Sequence, residues 1–285
     1  QNHLISSVLL TNDDVPYENE LLEILAIFFI KRPSYLCQIH LRLLAYFITK
    51  RPEDSIYLFS KYVENIETVN DPFLLLDFLL SYARVYINIP SGSMFIDLFY
   101  YLTSEFEEFK MSRLINLKPI FTAFIQSEDK NVACTAMKAV CNLYNDSFKL
   151  NLKTLIKYLH LLSHEPYTIS RELTINEQLG LNSLKLIERM DKYPCSKLFA
   201  HEVVCSMYKF PKEAINILLK FSAQSEECAT ILATKITLWM DPSTSRRESK
   251  VFNLFLSVFR YPNLRNLIIH TDEFPQLMAA LAAMH

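Results

Sequence analysis

Glycine is almost absent from this chain: only Gly92 and Gly180 occur among 285 residues, where an average composition of about 7% would supply roughly 20. Glycine lets the backbone adopt positive φ and lie against a phosphate, so this chain has no means of forming a glycine-rich phosphate loop. The Walker A loop, the dinucleotide fingerprint and the GxSxG nucleophile elbow are all excluded. Tight hairpins also lose their preferred residue, which favours helices joined by Pro, Asn, Asp and Ser turns.

Composition and charge narrow the class of protein further. Hydrophobic residues make up 51% of the chain and the formal net charge is −2, so we expect a large core and no dedicated nucleic-acid binding. No charge-free run approaches the roughly 18 residues of a membrane span. The six cysteines fall at irregular spacings inside apolar helical patterns, which predicts reduced core residues and a cytoplasmic or nuclear location. Because the chain starts at Gln1, a targeting signal or catalytic domain outside it stays open.

Amphipathic segments with helical spacing recur along the whole chain, with almost no strand-like alternation. Short turns between them predict stacked antiparallel helical hairpins. The run Leu25–Pro33, LAIFFIKRP, is echoed by Leu44–Pro52, LAYFITKRP, and looser basic-X-Pro stops begin at Lys192, Lys209 and Arg260. We expect the cation to complement the helix dipole and the proline to end the helix. Two such helices make a unit of roughly 34 to 38 residues, the size of a two-helix solenoid repeat.

The stretch Leu117–Tyr144 resembles a HEAT repeat, with Pro119 in its first helix and an acidic turn, Glu128-Asp129, before its second. The second helix places small and branched apolar residues inward, namely Val132, Ala136, Ala139, Val140 and Leu143. Tetratricopeptide and ankyrin patterns are absent, whereas an armadillo-type repeat stays open. The resemblance implies an all-α, right-handed superhelical solenoid of antiparallel helix pairs, HEAT/armadillo-like, as a single domain over residues 1–285.

Metal and catalytic patterns are incomplete. His160 and His164 are four residues apart, as are His201 and Cys205, a spacing that suits two ligands on one helix face. Neither pair has an obvious second pair, and zinc needs three or four ligands. We therefore expect no metal, no cofactor and no enzymatic activity in this chain.

Charge patterning identifies candidate partner-binding residues. Lys149, Lys153 and Lys157 recur every four residues opposite an apolar face, and His160 and His164 extend this stripe. Acidic residues dominate the region before it, including Glu105, Glu107 and Glu108. This asymmetry predicts a bipolar surface suited to oriented docking of a protein partner.

Two connecting segments carry further candidates. The segment from Ser163 to Leu173 is longer than a hairpin turn needs, so we expect a surface recognition loop. The segment from Asp241 to Lys250 contains Arg-Arg-Glu-Ser, the pattern of a basophilic kinase site, with Ser249 as the candidate acceptor. A phosphate there would enter the first turn of a helix, where the dipole favours it.

These observations favour a non-catalytic protein–protein interaction scaffold or adaptor. The expected partner is another protein; nucleic acid, membrane and small-molecule substrates are not expected. One alternative is an RNA- or translation-factor-binding helical domain. Two others are a helical GTPase-regulating domain, in which Arg171 would be the catalytic arginine, and a regulatory module of a kinase or other catalytic domain.

Overall fold

The computed structural model describes residues 18–31, 38–66, 73–144, 151–163, 172–240 and 258–283. Within these ranges the chain is all-helical and contains no β-strand, which confirms the predicted fold class at this level. Side chains are described for nearly all of these residues.

The helices are numbered here in chain order. They are α1 (Glu18–Lys31), α2 (Gln38–Lys50), α3 (Pro52–Val63), α4 (Leu74–Ser81), α5 (Gly92–Glu105), α6 (Glu107–Ile125), α7 (Lys130–Leu143), α8 (Leu152–Ser163), α9 (Ile175–Glu188), α10 (Lys197–Ser206), α11 (Pro211–Gln224), α12 (Glu226–Met240), α13 (Pro262–Ile269) and α14 (Phe274–Ala283). A short 3₁₀ helix, Ala83–Tyr86, follows α4.

The chain divides into two compact units, Gln1–Ala139 and Val140–His285, at a point within α7. In the second unit, α8 packs on α9 and α10, α9 on α11, α10 on α11 and α12, and α12 on α13 and α14. In the first unit, α1 packs on α2 and α3, α3 on α5, and α5 on α6. Helices therefore contact the next helix and the next but one, as in a two-layered stack of hairpins.

Hydrogen bonds between helices also join near neighbours along the chain. Arg51 donates to the side chain of Asn19, 32 residues earlier. The hydroxyl of Tyr208 donates to the carbonyl of Leu162, 46 residues earlier. Such separations match a contact between one helical hairpin and the next, which is the local connectivity of repeat proteins.

The basic residues before two of the helix-starting prolines bind neighbouring helices. Arg51 precedes Pro52, the first residue of α3, and its guanidinium contacts the Asn19 side chain of α1 at 2.7 Å. Lys209 precedes α11 and forms a buried ion pair with Glu177 of α9. Each of these cations therefore binds a side chain on another helix, in addition to the predicted interaction with a helix dipole.

The helix boundaries differ from the sequence prediction around Phe106. The apolar pattern predicts one helix from Met94 to Lys110 and the next from Leu117. In the structure α5 ends at Glu105 and Phe106 is extended, with φ −116° and ψ 100°. Helix α6 then begins at Glu107 and continues through Pro119. Acidic residues in the first turn favour a helix start at this position, and this signal outweighs the continuous apolar pattern.

Two other elements also differ from the sequence prediction. The apolar pattern predicts one helix from Pro72 to Ile87, but α4 ends at Ser81 and the 3₁₀ helix follows. Helix α13 was not predicted, although its Pro262 occupies the first helical position, where proline is favoured.

Both glycines lie where backbones or side chains approach closely. A Cβ atom at Gly180 would lie 2.8 Å from Cδ2 of Leu162, as expected for a close-packing point inside a helix. Gly92 lies at the turn that starts α5, where a Cβ would overlap the carbonyl oxygen of Tyr86 and lie 3.0 Å from Cγ1 of Val132. The scarce glycines therefore relieve crowding between elements.

Candidate protein-docking surfaces

Two acidic residues of the first unit, Asp77 and Asp97, lie close to cations from later helices. Asp77 of α4 pairs with Arg113 of α6 at 2.6 Å, although these residues are 36 positions apart. Burial raises the pKa of the Asp97 carboxyl, and the charge of Lys138 opposes that shift. Cations from the sequence region that looks basic therefore lie beside acids from the region that looks acidic. The predicted charge asymmetry is smaller in the folded unit than in the sequence.

Glu105, Glu107 and Glu108 form an acidic cluster at the junction of α5 and α6. Glu105 is the last residue of α5, and the other two occupy the first turn of α6. Glu107 pairs with Lys110 at 3.2 Å. Glu105 and Glu108 are exposed and form no ion pair with the part of the chain that the structure describes.

Next to this cluster, α6 exposes apolar side chains. Met111 and Ile115 are 77% and 84% exposed, the highest values for large hydrophobic residues in the described ranges. They are four residues apart, so they share one face of the helix. The opposite side of α6 is fully buried through Phe109, Leu117, Phe121 and Phe124. Helix α6 is therefore apolar on both sides, unlike the one-sided pattern of a surface helix.

The orientation of α6 is fixed by Arg113, which lies two residues from both Met111 and Ile115 and so points to the other side of the helix. Its guanidinium makes two hydrogen bonds to Asp77, at 2.8 and 2.6 Å. The same group stacks on the Phe73 ring, with 5.1 Å from Cζ to the ring centroid. This bidentate, ring-stacked arrangement holds α6 so that Met111 and Ile115 face outward.

Helix α8 carries the predicted lysine stripe and has an ordinary amphipathic distribution. Leu155, Leu159 and Leu162 are fully buried, while Lys153 and Lys157 are exposed and have no ion pair among the described residues. Lys149 lies outside those residues. The exposed face of α8 therefore presents charge without accompanying large apolar side chains.

His160 continues this stripe and contacts a buried carboxylate. Its Nδ1 atom lies 3.1 Å from Oε1 of Glu202 on α10. Glu202 is only 3% exposed, and its Oε2 atom makes no hydrogen bond. This contact joins α8 to α10. His164, the other predicted member of the stripe, lies outside the described ranges.

His201 and Cys205, one of the two pairs with metal-ligand spacing, gain no further ligand among the described residues, and His164 of the other pair lies outside them. The Sγ atom of Cys205 lies 3.6 Å from Nε2 of His201, but no group of three or more His, Cys, Asp or Glu side chains suitable for a metal occurs in the described ranges.

Cys195 is exposed, contrary to the expectation of core cysteines. The neighbouring Cys228 thiol, partial desolvation and the charge of Glu227 raise the pKa of the Cys195 thiol to about 11.

An open cleft of about 400 Å³ lies beside α12, α13 and the turn before α14. Its wall contains Thr230, Thr234 and His270 together with the carboxylates of Asp272 and Glu273. Hydroxyl groups of both threonines donate to carbonyls of their own helix. Both threonine hydroxyls are therefore engaged within their own helix.

Two predicted site residues, Ser249 and Arg171, lie outside the described residues. The sequence does not single out Met111 and Ile115, because the apolar pattern predicts a connection between Lys110 and Leu117. The signal that identifies them is the acidic pair Glu107-Glu108, which starts the helix early and so brings both residues onto one face.

Comparison of the chain with protein-family models, with curated proteins and with solved structures finds no match. Among the described helices, none combines the length and the apolar character that crossing a membrane requires.

Proposed function

We propose that this chain is a non-catalytic protein-interaction scaffold, built as a right-handed HEAT/armadillo-like solenoid, that docks a protein partner on the exposed face of α6. The packing of several helices on the next helix and on the next but one supports the repeat architecture. The observation that carries the docking surface is the exposure of Met111 and Ile115 on one face of a helix whose other face is already buried.

The energetic argument concerns apolar surface that the chain itself does not cover. Fully burying a Met or Ile side chain contributes about 1.5 to 3 kcal/mol. A partner that covers both side chains thus gains enough to matter against the cost of association, and clustered apolar exposure beside polar residues is typical of interaction sites. The acidic cluster of Glu105, Glu107 and Glu108 would orient the partner rather than supply most of the affinity.

Lys153 and Lys157, continued by Lys149, form a second proposed contact for an acidic part of the partner. Their support is their exposure and the absence of an ion pair with any residue that the structure describes. Lysines in this state also suit phosphate groups, so the same two residues carry the RNA-binding alternative. A steep loss of RNA affinity as salt is raised would favour that alternative, and absence of binding at low salt would remove it.

Quantitative affinity capture tests the docking surface. The wild-type chain is compared with Met111→Gln/Ile115→Gln and with Leu198→Gln, which changes a residue of α10 that is also exposed, at 58%. We expect a partner to be lost with the double variant and retained with Leu198→Gln. Equal recovery of every partner by all three proteins would contradict the proposal.

A further inference from the structure

We propose that the partner docked on α6 is a basic amphipathic helix, with apolar side chains over Met111 and Ile115 and lysine or arginine over the acidic cluster. This inference rests on the proposed function and adds the chemistry of the partner.

The shape of the exposed face suits a helix. Exposed residues of α6 follow a stripe two residues wide, made of Glu107, Glu108, Met111, Ser112, Ile115, Asn116 and Pro119. From its first to its last member the stripe is about 18 Å long at 1.5 Å per residue. A partner helix of about three turns would cover this length, and side chains four residues apart can interdigitate with such a helix at an interaxial distance of about 8 to 10 Å.

The charge of the face selects a basic partner. Glu105, Glu107 and Glu108 lie at one end of the stripe, and the nearest cation, Lys110, already pairs with Glu107. Arg113 points to the opposite side and is held by Asp77. The N-terminal end of the face therefore carries excess negative charge next to apolar side chains. A partner with cations at one end and apolar residues beside them complements both features.

A second copy of α6 is a weaker match. If two copies paired in antiparallel orientation, Lys118 of each would lie near the acidic end of the other. Lys118 is only partly exposed and already takes part in other interactions within its own chain. Glu105 and Glu108 would then face one engaged lysine, so self-pairing would leave acidic groups uncompensated.

Fluorescence anisotropy with labelled 18-residue model helices tests the partner chemistry on the whole chain. One peptide carries leucines on one face and lysines on the other, and a second has glutamates in place of the lysines. A third is the first peptide with two internal residues replaced by proline. We expect measurable binding of the lysine helix only, since the glutamate peptide meets like charge and the proline peptide is no longer helical.

Variants then locate the binding. Met111→Gln/Ile115→Gln should weaken the lysine helix at least about tenfold. Glu105→Gln/Glu108→Gln should weaken it several-fold and reduce the salt dependence of binding. Leu198→Gln should leave it unchanged. Equal binding of the lysine and glutamate helices, absence of binding by the lysine helix, or equal binding by the Met111/Ile115 variant would overturn the inference.

The two proposals fail in different ways. If capture of a partner depends on Met111 and Ile115 but the lysine helix does not bind, the docking surface stands and the basic-helix inference is wrong. If sedimentation shows a dimer of the wild-type chain that Met111→Gln/Ile115→Gln abolishes, self-pairing replaces the basic helix. If neither capture nor peptide binding responds to that variant, both proposals are wrong.

Discussion

Helix α6 of the first unit and α8 of the second both present a charged face, but their exposed sides differ in kind. On α8, Lys153 and Lys157 lie outward and large apolar residues such as Leu159 are buried. On α6, Glu108 lies outward together with Met111 and Ile115. Water solvates the exposed lysines of α8 favourably, whereas the exposed face of α6 leaves apolar side chains in contact with water. Apolar exposure therefore distinguishes these helices better than charge does.

The comparison also shows how folding redistributes charge. Arg113 counts as basic in the sequence, yet in the structure it neutralises Asp77 on another helix. Runs of like charge in the sequence are thus a weak guide to the surface of this chain, because a helix 36 residues away supplies the counter-charge to Asp77.

The largest expected changes in the free energy of unfolding come from the buried sides of α6 and α8, which are both apolar. Phe121 and Leu159 are both fully buried. Phe121→Ala should lower the free energy of unfolding by about 3 to 5 kcal/mol and Leu159→Ala by about 2 to 5 kcal/mol. Ile115→Ala, on the exposed side of α6, should change it by less than about 0.5 kcal/mol. Denaturant titration of each variant measures these values, and a cost for Ile115→Ala comparable to that for Phe121→Ala would show that the exposed face is part of the core.

The next largest expected effect is a difference in stability cost between breaking an ion pair of the second unit and breaking one of the first. Lys209 and Glu177 are both buried, whereas Asp77 of the Arg113 pair is exposed. Lys209→Met should cost about 3 to 5 kcal/mol because it leaves a buried carboxylate unpaired. Asp77→Asn should cost about 1 kcal/mol or less. Similar unfolding midpoints in urea for both variants would contradict this difference.

The same buried pair predicts a pH dependence. Burial raises the pKa of Glu177, but hydrogen bonds from Lys209 and from the amide of Thr174, with the charge of Lys209, lower it below its ordinary value. A lowered pKa gives stability that is present above the ordinary value of 4.5 and is lost as the pH falls through the folded-state value. The free energy of unfolding is measured for wild type and for Glu177→Gln between pH 6 and pH 3. Wild type should lose stability over this range through Glu177, and the variant should lack that contribution.

A smaller effect distinguishes the two glycines. Gly92→Ala places a methyl group against the Tyr86 carbonyl, which is backbone and cannot move easily, so we expect a cost of about 1 to 3 kcal/mol. Gly180→Ala places a methyl group 2.8 Å from Cδ2 and 3.0 Å from Cβ of Leu162, side-chain atoms that shift more easily than a backbone carbonyl. It also gains about 1 kcal/mol of helix propensity. The net loss of stability in Gly180→Ala should therefore be smaller than in Gly92→Ala. Thermal unfolding of both variants measures the two losses, and a larger loss for Gly180→Ala would contradict this prediction.

The smallest effects concern the exposed charges of α8. Lys153→Gln/Lys157→Gln should change the free energy of unfolding by less than about 0.5 kcal/mol. The lysine helix should bind this variant as it binds wild type. Denaturant titration and anisotropy test both statements, and loss of peptide binding would move the docking surface away from α6.

Much of the architecture follows from the sequence, because it depends on local periodicity. Helix α8 begins near Asn151, whose side chain accepts a hydrogen bond from the amide of Lys153, and its apolar spacing predicts which side is buried. Gly180 inside a helical pattern indicated close packing, and the contact with Leu162 confirms it.

The exposed face of α6 was not predicted because its helix start was misplaced. The apolar pattern continues across Phe106 without a break, and Pro119 suggests a helix beginning near Leu117. In the structure Pro119 lies inside α6. The pairing of Asp77 with Arg113 was not predictable either, because it joins residues whose proximity depends on how neighbouring hairpins pack.

The most direct test of the docking surface uses a photo-cross-linking residue, p-benzoylphenylalanine, in place of Ile115, compared with the same residue in place of Lys157. Both proteins are irradiated in cells that express the chain, and the cross-linked peptides are sequenced by mass spectrometry. Our account predicts that position 115 cross-links to one dominant segment that is rich in lysine or arginine and has apolar residues at helical spacing. Cross-links from position 115 to an acidic segment, or discrete cross-links from position 157 alone, would contradict it.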